Sequence, residues 1–352
     1  MSRFWSDTVK GLTPYSPGEQ PQIDNLIKLN TNENPYGPSP KVLNAIAQAT
    51  DDDLRKYPDP STLDLKRSVA QHFKLSEKEV FIGNSSDEVL AHTFRALLKQ
   101  NKPLLFPDIT YSFYPVYCQL FDIQYQQIPL DHNFQINIDD YDHPNGGIIF
   151  ANPNAPTGIA LSIDQVERLV KQHSHSVIVV DEAYVDFADD SAVRLIAKHP
   201  NLLITQTLSK SRSLAGLRVG IALGQAELIE GLERVKNSFH PYTLDKLAIA
   251  GATAAFEDTE YLAKTCAKVN ATRDRTRQEL TKLGFEVLPS SANFVFAKHR
   301  NHKAEILFQG LRNRKILVRH FNTPRIDEYI RISIGTDDEM DSLLAGLKEL
   351  TL

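Results

Sequence analysis

At 352 residues, 41% hydrophobic and 24% charged, the chain has room for roughly two globular domains. Its formal net charge of −5 gives no electrostatic case for nucleic acid or an anionic membrane as partner, and no apolar run nears the roughly 18 residues that span a bilayer. Two cysteines, Cys118 and Cys266, without zinc-ligand spacing, and a start (MSRFWSDTVKGL) without a signal-peptide core point to a reducing cytoplasm and to no metal site.

Residues 1–38 read as an arm rather than a core element. Pro14, Pro17, Pro21 and the stretch Leu29-Asn30-Thr31-Asn32-Glu33-Asn34-Pro35 favour turns over regular structure. Ser39-Pro40 reads as an N-cap followed by proline at the first helical position, opening a helix with Val42, Leu43 and Ile46 inward. After Tyr57-Pro58 a second helix starts at Ser61 or Thr62, burying Leu65, Val69 and Phe73 at i, i+4, i+8.

From residue 80 the text alternates between strand and helix. Val80–Ile82 runs into Gly83-Asn84-Ser85-Ser86-Asp87-Glu88 and a helix to about Lys99. Strands are expected at 104–106, around 123–128, and at 148–151. Ser162-x-x-Gln165 is a capping-box start for the next helix. Val177–Val180 is continuously apolar, as a strand buried on both faces should be, and Asp181 stands at its carboxyl end. Strands at 202–205 and 219–223 complete a doubly wound, mainly parallel α/β sheet, a class that binds ligands at the carboxyl ends of its strands. Helices dominate residues 226–283. The tail, with short strands and two helices, reads as a smaller α+β domain. The expected organisation is an arm over residues 1–38, a large domain over 39–270 and a small C-terminal domain over 271–352.

Three strand ends carry chemistry. Asn152-Pro153-Asn154-Ala155-Pro156-Thr157-Gly158 follows one, Asp181-Glu182-Ala183-Tyr184 the next, and Ser209-Lys210 the third. Together they match the needs of pyridoxal 5′-phosphate: a lysine to take its aldehyde and a carboxylate for its pyridinium nitrogen. Burial and a nearby cation lower a lysine's pKa, and the neutral amine attacks carbonyls. Backbone N–H groups and hydroxyls of Gly83–Asp87, at a helix N-terminus, suit the cofactor's phosphate, with Ser209 and Arg218 completing that cup.

These motifs, with Thr110-Tyr111, Ala215-Gly216-Leu217-Arg218-x-Gly220 and Arg331-Ile332-Ser333-Ile334-Gly335-Thr336, resemble those of the fold-type I pyridoxal-phosphate-dependent aminotransferases over nearly the whole chain. The arm and the Tyr57-Pro58 pair are similar to the branch that transaminates histidinol phosphate with 2-oxoglutarate. The resemblance implies that Lys210 binds the cofactor and moves the substrate's proton. It implies that Asp181 pairs with the ring nitrogen, Tyr184 with the ring oxygen, and that Tyr111 stacks on the ring. Ser85, Ser86, Asp87, Ser209 and Arg218 would hold the phosphate. Tyr57 would reach the neighbouring subunit's cofactor, making a homodimer with shared sites. Tyr111 and Tyr57 could also be packing aromatics.

Two departures stand out. Where the family carries Asn before Pro-Thr-Gly, this chain has Ala155; either Asn154 takes that contact or Tyr184 carries it alone. Ser85 replaces a commoner glycine, so a backbone that only glycine tolerates is not expected there. For substrate, Arg331 and Arg319 suit phosphate and carboxylate groups, with Tyr15 and Asn32 of the arm assisting; Arg319 suits a surface salt bridge almost equally. An aromatic-amino-acid aminotransferase, and more distantly a threonine-phosphate decarboxylase, fit the same cofactor motifs, which do not report the side-chain pocket.

Overall fold

A computed structural model describes residues 2–352. Its centre is a seven-stranded sheet in the order Val80–Asn84, Val219–Gly224, Leu202–Thr207, Ile178–Asp181, Gly147–Ala151, Leu104–Pro107, Tyr125–Ile128. All neighbours are parallel except the pairs made by Val219–Gly224, which runs antiparallel to both its flanks. The reason is chain length. A parallel return needs a crossover of about a dozen residues or more, usually helical, and Leu208–Arg218 holds only the short turn Ala215–Leu217.

The inner strands are buried along their whole length, and their residues alternate between two cores. Ile178 and Val180 feed one core with Ile148, Phe150, Leu202 and Ile204. Val179 feeds the opposite one with Ile149 and Leu203. This period of two is what places helices on both faces. The chain leaves Leu104–Pro107 for the edge strand and then jumps back to its other side, so the strand order reverses there. Such a reversal opens a crevice at the carboxyl ends.

The tail forms a four-stranded antiparallel sheet, Arg319–His320, Ile330–Ser333, Phe294–His299, Phe285–Val287, over its own core with the helices Ala304–Asn313 and Asp337–Thr351. One unbroken helix, Thr259–Lys282, leads into it. The arm is not uniform. Ile27–Lys28 pairs in parallel with Ile316–Leu317, and Leu29 is buried in the small core, so the arm's second half is an element of the smaller unit.

The helix Pro40–Ala49 corrects one expectation. Ser39 caps it and Val42 is buried, but Leu43 is 55% exposed. Its inward face is narrow: Ile46, one turn from Val42, meets the backbone of Gly251, where a Cβ would lie 3.1 Å from its side chain. That close approach leaves Leu43, 100° around the helix, on the outside.

Candidate active site

The strand register brings the chemistry together. Asp181 lies opposite Ala151 on one side and Thr205 on the other, and the three strands finish at the same end of the sheet, the third two residues further on at Thr207. That edge, the arm and the small sheet enclose a cleft of about 630 Å³, within the range of small-molecule sites.

Lys210 projects into it from the loop after Leu202–Thr207. Its Nζ donates to the carbonyl of Thr31 at 2.9 Å and lies 5.9 Å from the centre of the Tyr184 ring. Burial first, then the neighbouring Arg331 charge, lowers its pKa to about 8. The arm clasps this loop from outside: the Asn34 amide donates to the carbonyls of Lys210 and Ser211 at 3.2 and 3.0 Å.

Asp181 is 4% exposed, and burial raises its carboxyl to about 6. The Tyr114 hydroxyl donates to its Oδ2 at 3.0 Å and the Thr205 hydroxyl to its Oδ1 at 3.3 Å. Both partners were invisible to motif reading. Pro115, second residue of the helix Tyr114–Phe121, was the one available signal for that helix. Next to Asp181, Glu182 is also buried and raised to about 7 by burial, but Ser191, Gln206 and the Ala192 N–H satisfy it on the far side of the strand end.

The cup for an anion forms where Val80–Asn84 turns into the helix Ser85–Thr93. Here a second expectation is overturned: Ser85 has φ +67°, in the left-handed region. Its N–H donates to the Arg218 carbonyl at 2.7 Å, and the Asp87 N–H donates to its Oγ at 3.2 Å. These bonds and packing hold a serine where glycine would cost less. Gly220 makes the fit possible from the other strand, since a Cβ there would meet the Ser85–Ser86 peptide at 2.3 Å. Ser86 and Asp87 line the cleft, while Ser85 is the pivot behind them. Arg218, itself at φ +56°, donates to Asp87 at 2.8 Å, and the Tyr111 hydroxyl donates to the other Asp87 oxygen at 3.1 Å. Ser209 lies beside them, its hydroxyl receiving that of Thr207 at 3.0 Å.

Ala155 lines the cleft and Asn154 does not. The Asn154 amide is spent on the scaffold: its oxygen accepts from Thr110 at 2.8 Å and its nitrogen donates to the Ile109 carbonyl and Thr157 at 2.9 and 3.1 Å. Beside Tyr184 stands Asn32 instead, 1% exposed, whose amide donates to the Tyr184 oxygen at 3.0 Å. Its own oxygen accepts from Ser333 at 2.8 Å.

Arg331 and Arg319 reach the cleft from the small sheet, and Tyr15 from the arm, its ring 4.8 Å from Phe113 and 6.4 Å from Tyr111. One Arg331 nitrogen donates to the Asn30 carbonyl at 2.8 Å, but Nε is buried with no partner among the described residues. A buried guanidinium with a donor to spare is suited to an incoming anion. Tyr57 is the outlier: 83% exposed, stacked on Tyr242 at 4.7 Å and outside the cleft lining.

The residues therefore fit pyridoxal 5′-phosphate. A buried amine, a buried carboxylate and a cup of N–H and hydroxyl groups surround one cavity, and Gly220 lacks the Cβ that would collide with the Ser85–Ser86 peptide behind the cup. Fold and site define a class, and the chain belongs to it: the family model for aminotransferase class I and II matches residues 24–347. Within that family the chain is 58% identical to "Histidinol-phosphate aminotransferase 1" of Pseudomonas fluorescens, over 99% of this chain and 100% of that one. It is equally 58% identical to "Histidinol-phosphate aminotransferase 2" of Dechloromonas aromatica, over the full length of both. Among solved structures, histidinol-phosphate aminotransferase from Sinorhizobium meliloti in complex with pyridoxal-5′-phosphate superposes with a TM-score of 0.90 at 25% identity, covering 100% of this chain and 98% of that one.

Proposed function

We propose that this chain transfers the amino group of L-histidinol phosphate to 2-oxoglutarate, giving imidazole-acetol phosphate and glutamate, as a step of histidine biosynthesis. The observation that carries the reading is that one cleft is lined by Lys210 with its buried amine, by buried Asp181 and by Arg331. The full-length relatives support the choice of substrate.

Pyridoxal 5′-phosphate, when bound, supplies an aldehyde that accepts the amino group and a ring that withdraws electrons from the substrate carbon. Lys210 Nζ would take that aldehyde and afterwards carry the proton from the substrate's amine-bearing carbon; its lowered pKa leaves much of it neutral near pH 8. Asp181, ionised above about pH 6, would hold the ring nitrogen's proton. Tyr184, its oxygen already receiving the Asn32 amide, has its own proton free to donate to the ring oxygen. Tyr111 would cover the ring face. Ser86, Asp87, Ser209 and Arg218 would orient the phosphate, with Arg218 offsetting the Asp87 charge. Arg331 and Arg319 would take the phosphate of one substrate and a carboxylate of the other, since planar guanidinium groups bind both in paired hydrogen bonds.

We further propose a cytoplasmic homodimer. No helix among the described residues is long and apolar enough to cross a membrane. Tyr57 and Leu43 are exposed in the single chain, which supports a second copy covering them and receiving Tyr57 at its own phosphate cup.

The test is an amino-donor comparison with 2-oxoglutarate as acceptor. Glutamate should form fastest from histidinol phosphate. Faster reaction with phenylalanine, or carbon dioxide release from threonine phosphate, would contradict the proposed substrate.

A further inference from the structure

Asp181 forms no ion pair among the described residues, and it keeps its charge by hydrogen bonds alone. Three donors face it: the Thr205 hydroxyl from the adjoining strand, the Tyr114 hydroxyl from the helix Tyr114–Phe121, and the N–H of Ala183. The other ionisable groups near it are Asp87, whose charge opposes ionisation, and the phenols of Tyr111, Tyr117 and Tyr184. Burial is the largest influence and acts against the charged form.

Tyr114 is placed to do one thing. It is fully buried, its ring wedged among Phe94, Phe106 and Tyr111 at 6.1, 5.9 and 5.6 Å between ring centres. Among the described residues its hydroxyl bonds Asp181 and nothing else. Burial and the Asp181 charge push the phenol far above its usual range, so it stays a donor throughout the working pH range. The hydroxyl and its aromatic seat thus form a fixed, permanent donor aimed at a buried carboxylate.

We propose that Tyr114 is a positioning residue of the cofactor site, whose hydroxyl keeps Asp181 ionised at neutral pH and fixes the rotation of its carboxylate. The inference rests on the reading of Asp181 as the partner of the ring nitrogen. Thr205, at 3.3 Å, is the longer and weaker of the two side-chain donors. Removing the Tyr114 oxygen leaves burial less opposed, so the acid form of Asp181 persists to higher pH, by about 1 to 2 pH units for one hydrogen bond to a charged group.

Tyr114→Phe removes one oxygen and keeps the ring's shape. The experiment measures the affinity of cofactor-free protein for pyridoxal 5′-phosphate from about pH 5.5 to 8.5, by quenching of protein fluorescence, in the wild type, Tyr114→Phe, Thr205→Val and Asp181→Asn. Wild-type affinity should fall as pH drops through about 6. In Tyr114→Phe the fall should begin about 1 to 2 units higher, leaving binding roughly two- to tenfold weaker at pH 7 and nearly normal at the alkaline end. Thr205→Val should move the same limb the same way by less, and it stands in if the Phe variant does not fold. Asp181→Asn should bind weakly with no acid limb. The acid limb of kcat/KM should move with that of binding. Superimposable wild-type and Tyr114→Phe profiles, or a loss uniform with pH, overturn the role of Tyr114. An Asp181→Asn protein with wild-type affinity and acid limb overturns the Asp181 reading instead.

Discussion

The two halves of the cleft are held in different ways. Asp181 and the Lys210 loop end adjacent strands of a sheet buried on both faces, and register alone sets them side by side. Asn32, Arg319 and Arg331 come from the arm and the small sheet. They are joined across 301 positions of sequence by bonds such as Asn32 N–H to Ser333 Oγ and Arg331 to the Asn30 carbonyl. The first half is rigid because it is sheet. The second is ordered only when two distant segments dock. Chemistry should depend on the first and recognition on the second.

The largest effect should come from breaking the rigid half. Lys210→Ala should lower the rate of transamination at least about 10²- to 10⁴-fold, the usual worth of a positioned proton-transfer group, while the phosphate cup still retains cofactor. Asp181→Ala should lower it by about 10²- to 10³-fold, as does removal of one preorganised electrostatic contact, with circular dichroism unchanged. Near-wild-type turnover in Asp181→Ala would reduce that residue to a strand-end cap.

Breaking the docked half should change binding instead. Arg331→Gln should raise KM for histidinol phosphate by about 10- to 100-fold with a smaller change in kcat, since one or two hydrogen bonds between charged groups are lost. Arg319→Gln should have the smaller effect. A loss in kcat as deep as that of Lys210→Ala would erase the division between the halves.

The smallest effect sharpens the comparison by asking whether a third part comes from outside the chain. Tyr57→Phe should weaken cofactor affinity by about tenfold, the lower end of what one hydrogen bond to a charged group is worth, because the side chain is contributed from outside the chain. Mixing it with Lys210→Ala should restore wild-type cofactor affinity at the active site of each hybrid dimer, because that site then holds Lys210 and a partner's Tyr57. Verified hybrids whose Lys210-bearing site keeps the weakened cofactor affinity of Tyr57→Phe would refute the shared site and leave the rest standing.

The same division explains what could be read in the sequence. The central sheet was legible because burial on both faces writes a continuous apolar run such as Val177–Val180, and a polar residue just beyond it, Asp181, then marks a strand end. Lys210 was legible for the same reason. Tyr114 was not: nothing in its neighbours says that its ring will turn under the sheet's edge toward Asp181. Asn154 misled because an amide next to Ala155 looked free, whereas Thr110 engages its oxygen and Ile109 and Thr157 its nitrogen. Asn32 was expected at the substrate and its amide bonds Tyr184 and Ser333. Ser85 misled because its left-handed backbone is imposed by Arg218 and by the space above Gly220, both more than a hundred positions away. Local pattern reports burial and period; it does not report what distant backbone demands of a residue.

The central claim is that Lys210 is the residue that takes the cofactor. The most direct measurement loads the protein with pyridoxal 5′-phosphate, fixes the covalent bond by borohydride reduction, and locates the added mass by peptide mapping. The mass should lie on Lys210 alone, and loaded protein should absorb visible light before reduction. Addition at another lysine, such as Lys28, the ion-pair partner of cleft-lining Glu33, or no addition to protein that remains folded, would contradict the account.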